Sequence, residues 1–326
     1  MLYSADLAGN FPLSPSDLLD THRRIAPYIH RTPVLTSRAV NQLSGASVFF
    51  KCENFQKMGA FKMRGAANAI LRLKEEERAR GVATHSSGNF AQAVALAAQM
   101  LGVKAYIVMP SDSPKVKKEA VKGYGGQITE CAPTLSAREE RVQEVIRKTG
   151  ATFIHPYNDF DVIAGQATVA MELLEEVPGL HFVIAPVGGG GLAAGTVLAA
   201  HFFSEMTKVV GAEPLGAGDA QQSLARGHIV LQTNPQTIAD GLRTSLGDKT
   251  FPLLKKYLQR IILVEEHDIV HAMRLFMQRM KIVAEPSGAV PLAALLKDKE
   301  AFAGKKAGLI VSGGNVDLNQ LGRLFA

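Results

Sequence analysis

Short apolar runs alternate with longer helix-patterned segments along almost the whole 326-residue chain. The clearest strand candidates are VATHSS (82–87), KAYIVMP (104–110), HFVIAPV (181–187), IILVEE (261–266) and AGLIVSGG (307–314). Helix candidates lie between them: KMRGAANAILRLKEEERARG, NFAQAVALAAQMLG, GLAAGTVLAAHFF and DIVHAMRLFMQRMK. A strand that is apolar throughout is buried on both faces, and the helices that connect parallel strands supply that cover. The pattern therefore predicts an α/β fold built on parallel sheets. The length suits two α/β domains sharing a cleft, and the Gly-rich motifs fall into two groups, near residues 57–90 and 188–218. In open parallel sheets ligands sit beyond the carboxyl ends of strands, where helices begin. Each motif below lies at such a point.

Composition narrows the class. Apolar residues make up 47% and charged residues 20% of the chain, the balance of an ordinary globular protein. No apolar run is long enough to span a bilayer. The start, MLYSADLAGNFPLSPSD, has no basic stretch followed by an apolar core, so a cytoplasmic protein without a membrane partner is expected. Cys52 and Cys131 lack metal-ligand spacing and are expected to be inert buried thiols. The net charge of +6 is scattered, there is no Trp, and no aromatics interleave with the basic residues, which speaks against a nucleic-acid partner. Lys115, Lys117 and Lys118 are expected on a solvated helix face.

Four segments carry chemistry. In APVGGGGLAAG a strand runs into Gly188, Gly189, Gly190 and Gly191, then into a helix at Leu192. Bare backbone N–H groups at a helix N-terminus suit a phosphate; the alternative is a tight strand-to-helix turn. Neither GKS/GKT nor a clean GxGxxG is present, which sets aside nucleotide loops. Lys62 follows Phe61 just before an Ala-rich helix, where a partly desolvated amine becomes a nucleophile toward an aldehyde; a lone lysine is otherwise a solvated surface group. Ser86, Ser87, Gly88 and Asn89 stand at a strand end and form either a carboxylate clamp or an ordinary helix cap. Ser312, in SGGN, offers a hydroxyl at a strand end or simply a turn. A fifth segment, Glu213 to Asp219, supplies two carboxylates and a turn carbonyl at Ala217. All-oxygen ligands suit Mg²⁺ or Ca²⁺; the alternative is a pair of surface carboxylates.

Taken together, FKMRGA, SSGN, AGQAT, GGGGL, TIADG and SGGNVD occur in this order between residues 31 and 318. The chain thereby resembles the fold-type II pyridoxal-phosphate family, in its branch of serine racemases and catabolic serine/threonine dehydratases (ammonia-lyases). The resemblance implies the tryptophan synthase β-like architecture: a large cofactor-binding domain, residues 1–81 and 156–326, and a small mobile domain, residues 82–155, with the site in the cleft. It implies that Lys62 holds pyridoxal 5'-phosphate as a Schiff base, that Phe61 packs beside the ring and that Asn89 bonds the ring hydroxyl. Gly188–Gly191 and Leu192 would hold the phosphate, Ser312 the ring nitrogen, and Ser86–Asn89 the substrate carboxylate. Ser87 matches the serine that racemases place opposite the lysine. Glu213, the Ala217 carbonyl and Asp219 match a metal site of the racemase branch.

The implied activity is dehydration of a small hydroxy-amino acid to a 2-oxo acid and ammonia, with racemisation through Lys62 and Ser87, in a homodimer. The alternatives are a 3-hydroxyaspartate dehydratase, or an α/β protein that binds a phosphate ligand without this catalysis. Two departures stand out. Phe90 replaces the histidine usual after Asn89, and HPYND at 155–159 is a hybrid in which Tyr157 has no assigned role. Arg138 matches an arginine near the site in some relatives, but its helix pattern predicts a solvent face.

Overall fold

The computed structural model describes residues 13–113 and 115–325; the N-terminal stretch read for a signal lies, through residue 12, outside the described residues. Among the described residues no helix is long and apolar enough to cross a membrane. Among the described residues ten strands form two sheets: β1 (Val34–Thr36), β2 (Ser47–Cys52), β3 (Val82–His85), β4 (Ala105–Pro110), β5 (Gln127–Cys131), β6 (Thr152–Phe153), β7 (Phe182–Pro186), β8 (Lys208–Pro214), β9 (Leu258–Val264) and β10 (Lys306–Val311). The six-stranded sheet runs β1-β2-β10-β7-β8-β9 and the four-stranded sheet β5-β4-β3-β6. Every pairing is parallel except β1 with β2.

Burial on both faces follows from the two-residue period of a strand. Along β7, Phe182 and Ile184 face the core that contains Phe50, Phe276 and Leu292, whereas Val183 and Ala185 face the core that contains Leu173, Leu192 and Leu198. In the smaller sheet Val82 and Ile107 face one core, Ala83 and Val108 the other.

The helix expected over residues 62–81 is two helices, Lys62–Arg72 and Glu75–Arg80, because Leu73 is extended (φ −65°, ψ 145°). The second helix starts afresh on three glutamates, with the Glu77 carboxylate accepting the Lys74 N–H at 2.8 Å. Acidic residues favour that end of a helix dipole.

The Lys62 helix is fixed from behind. It crosses the helix Phe160–Glu176 so closely that a Cβ at Gly165 would lie 2.6 Å from the Arg64 carbonyl oxygen. Arg64, fully buried, donates to both oxygens of Glu53 at 2.8 Å and to Glu172 Oε1 at 2.7 Å. Lys51, equally buried on β2, donates to Glu172 Oε2 at 2.6 Å and to the Thr32 carbonyl at 2.7 Å. Two cations and two carboxylates thus tie β2 and both helices together two residues from Lys62.

Candidate active site

Lys62 opens its helix, and its amine lies 5.1 Å from the centre of the Phe61 ring and 5.5 Å from that of Phe90. It donates a hydrogen bond to the Pro156 carbonyl at 2.9 Å. Burial pushes the amine down to about 8, against the opposing pull of the Glu285 carboxylate. A solvated surface lysine does not behave so. Phe90, which directly follows Asn89, packs in the core of the smaller sheet with its ring beside this amine.

The strand end Ser312–Asn315 lies directly against the Lys62 segment. The Phe61 N–H donates to the Ser312 carbonyl at 3.0 Å and the Gly314 N–H to Gly59 at 2.9 Å. Asn315 donates to the Met58 carbonyl at 2.8 Å and to Asn89 Oδ1 at 2.9 Å. Asn89 in turn donates to Glu285 Oε1 and Oε2 at 2.9 and 3.0 Å. Burial and then Asp240 push the Glu285 carboxyl up to about 7, although the Asn89 bond opposes them.

Ser86, Ser87, Gly88 and Asn89 follow β3. The helix Asn89–Met100 has Gly88 as its N-cap with no side-chain cap bond, and Ser86 Oγ accepts only the Gly88 N–H, at 3.3 Å. The helix-cap alternative for these serines therefore fails, and the first N–H groups of the helix remain open to an anion.

The glycine run follows β7. Gly190 is left-handed (φ 87°) and caps the helix Gly191–Phe203, whose Ala194 N–H is bonded back to Gly190 at 2.7 Å. Side chains here would collide: at Gly188 with Leu242, at Gly190 with Leu246 and Thr250, and at Gly189 and Gly191 with Tyr157. Tyr157 therefore lies on the glycine loop, and its neighbour Pro156 holds the Lys62 amine. Four segments far apart in sequence meet in one place, at the carboxyl ends of strands.

A family model described as pyridoxal-phosphate dependent enzyme matches residues 25–313. The chain belongs to this family. A protein named beta-hydroxyaspartate dehydratase, from Paracoccus denitrificans, is 50% identical over 94% of this chain and 97% of its own. A serine racemase of Dictyostelium discoideum is 49% identical, with 95% and 97% covered. Among solved structures, maize serine racemase matches with a TM-score of 0.93 at 45% identity, covering 97% of each chain. The fold-type II architecture expected from the motifs is that of these enzymes.

The cradle fits pyridoxal phosphate: a desolvated lysine stands beside a glycine turn whose side-chain directions are all filled by protein, leaving its helix-start N–H groups for the phosphate. Fit to a cation is partial. Glu213 is the last residue but one of β8 and accepts the Ala220 and Gln221 N–H groups at 2.9 and 3.0 Å. Asp219 begins the next helix, and both its oxygens are buried without a hydrogen-bond partner; Gln232 lies near enough to favour its charge but not in bonding geometry. Ala217 lies between them, buried. The two are not surface carboxylates, although no group of three His, Cys, Asp or Glu side chains gathers for a metal among the described residues.

Some expectations change. Of the three lysines placed on a solvated face, Lys115 alone is there. Lys117 pairs with Asp240 and Lys118 with Glu130, because their helix faces the end of β5 and the loop beside the glycine run. Arg138 is half-buried rather than solvated, and its charge helps to depress His85 and reaches Tyr157. Both cysteines are buried and free, with Cys52 pushed up to about 12 by burial, as inert thiols should be. Sequence reasoning missed Glu285, Asn315 and His155. Glu285-Pro286 reads as a common helix start, so only its charge in an apolar stretch could have marked it.

Proposed function

We propose that this chain is a pyridoxal-phosphate dependent dehydratase of small 3-hydroxy amino acids, releasing a 2-oxo acid and ammonia, with racemase activity shared by Lys62 and Ser87. The supporting observation is the Lys62 amine, desolvated and pushed down to about 8 beside the glycine loop. When bound, pyridoxal phosphate supplies the conjugated acceptor for the electrons left as an α-proton departs. Lys62 takes that proton from the L-substrate, a task for a base poised near neutral pH. Ser86, Ser87, Gly88 and Asn89 hold the substrate carboxylate at the start of their helix. Gly188–Gly191 and Leu192 hold the phosphate, Asn89 and Phe61 fix the ring, and Ser312 bonds its nitrogen. Departure of the β-hydroxyl and hydrolysis complete the dehydration. Ser87 returns a proton on the other face and so gives the D-enantiomer.

Residues 82–155 form the unit that closes over residues 1–81 and 156–326. Glu213, the Ala217 carbonyl and Asp219 hold Mg²⁺ or Ca²⁺, and the enzyme works as a cytoplasmic homodimer. Arg138 favours a second carboxylate on the substrate: its half-buried charge acts on His85 and Tyr157. That makes 3-hydroxyaspartate a substrate to rank beside serine and threonine.

The test measures 2-oxo-acid and D-amino-acid formation from those three L-substrates. Ser87→Ala should keep deamination within about tenfold and lose racemisation by a factor on the order of 10². Lys62→Ala should lose both. Equal losses in Ser87→Ala would remove the two-base scheme, and no oxo acid from any substrate would remove the reading itself.

A further inference from the structure

The segment His155–Asp159 has no part in this scheme, yet it touches the Lys62 amine, the glycine loop and the residues Asp248 and Lys249. His155 Nδ1 accepts the Asn158 N–H at 2.9 Å and the Tyr157 N–H at 3.3 Å. Such bonds curl a chain into a turn, as Asp and Asn side chains do when they bond the backbone two residues on. Three contacts hang on this turn. The Pro156 carbonyl receives the Lys62 amine at 2.9 Å. The Tyr157 ring occupies the space that a side chain at Gly189 would need, and its Cβ and backbone the space that one at Gly191 would need. Asn158 donates to Asp248 Oδ1 at 2.6 Å and accepts the Lys249 N–H at 2.9 Å, while Thr250, next in that segment, donates to the Gly189 carbonyl at 2.9 Å. The His155 ring packs edge-on against Tyr157, centroids 4.6 Å apart.

We propose that His155 is a positioning residue: its neutral imidazole, accepting the Tyr157 and Asn158 N–H groups, folds the turn that sets the Lys62 amine against the glycine loop. The inference rests on the reading of Lys62 and that loop as the cofactor seat. An imidazole nitrogen accepts only when bare, so the ring proton must sit on Nε2. The surroundings keep the ring neutral. Burial, then the charges of His85, Lys62 and Lys249, push His155 down to about 4, with Asp248 alone opposing. The turn accordingly survives throughout the neutral range.

Leucine at 155 fills the volume but strands two N–H groups, whereas asparagine presents an oxygen where Nδ1 stands. His155→Leu and His155→Asn are compared with the parent in two ways. In the apoprotein, amide hydrogen exchange is read at Tyr157 and Asn158; in the loaded protein, release of pyridoxal phosphate is followed by its visible absorbance on dilution. His155→Leu should speed exchange at Asn158 and weaken cofactor retention, each by about tenfold, the scale of one lost bond with its donor left stranded. His155→Asn should stay within about twofold of the parent. Equal behaviour of the two variants, or a leucine variant that matches the parent, overturns the proposal. If the parent takes up no cofactor on Lys62, the functional reading fails while the exchange comparison still decides the turn. Should His155→Leu not fold, isotope-labelled histidine in the parent gives a direct answer by NMR: a bare, accepting Nδ1 on His155 at neutral pH is expected, and a protonated one refutes the role.

Discussion

An ammonium group held between two phenyl rings loses its hydration, and a single carbonyl returns little of it. At Lys62 this loss outweighs both the Glu285 carboxylate and the attraction of a cation to the ring faces, so the amine falls to about 8. Bond formation with the cofactor aldehyde needs the unprotonated amine. Below pH 8 the free fraction grows tenfold per pH unit, and above it the fraction is nearly complete; an ordinary lysine reaches that point only near about 10.4. Mixing apoprotein with pyridoxal phosphate across pH 6 to 11 should therefore give an attachment rate that climbs and then levels off near pH 8. Borohydride trapping confirms that the label is on the Lys62 peptide. A rate still climbing beyond pH 10 would mean a solvated amine. The same desolvation explains why the sequence was informative about Lys62 only through its neighbours: nothing in a lysine's own identity records which phenyl rings will surround it.

The buried ion group behind Lys62 acts on whole elements, joining β2, the Lys62 helix and the helix Phe160–Glu176. Burial alone would raise the Glu172 carboxyl, yet the His22 and Arg64 bonds and the charges of Arg64 and Lys51 hold it well below the usual carboxylate range. Removing it leaves two buried cations facing one remaining carboxylate. Glu172→Ala should therefore cost about 3–5 kcal/mol in urea unfolding, the scale of a broken buried pair. Replacing Lys51, Glu53, Arg64 and Glu172 together with apolar residues of similar volume should cost far less than the sum of the single changes. A sum that simply adds would show the four to be independent. This group also marks where sequence reading stops. The apolar strands β3, β4, β7, β9 and β10 were legible from their own residues. β2 reads SVFFKC and β5 reads QITEC, so neither has the long apolar run that identifies a strand. The Lys51 partner lies 121 residues away, a separation that no local pattern encodes.

At the scale of the whole molecule the site exists because two parallel sheets present carboxyl ends to one another. Asn89 at the small sheet reaches Glu285 at the large one, and Lys117 reaches Asp240 beside the glycine loop. The four motifs were visible in the sequence because each is a strand-to-helix junction with its own residue signature. The residues that lock them together, Glu285, Asn315 and His155, act through partners that only the fold supplies. The cation site has the same character, since its merit depends on burial. Asp219 carries two desolvated oxygens with no donor, a cost that a divalent cation would offset. A ligand that binds only the folded state stabilises the entire chain, by about 2.7 kcal/mol at a hundred times its dissociation constant. Mg²⁺ added after chelation should accordingly raise Tm by several degrees. Asp219→Asn should fold and lose that increment. Glu213→Ala should lose the increment too, and also about 1 kcal/mol without any cation, because its carboxylate caps the helix Asp219–Arg226. If Tm is the same in chelator and in Mg²⁺, the two carboxylates hold the Asp219 helix to β8 and bind no cation.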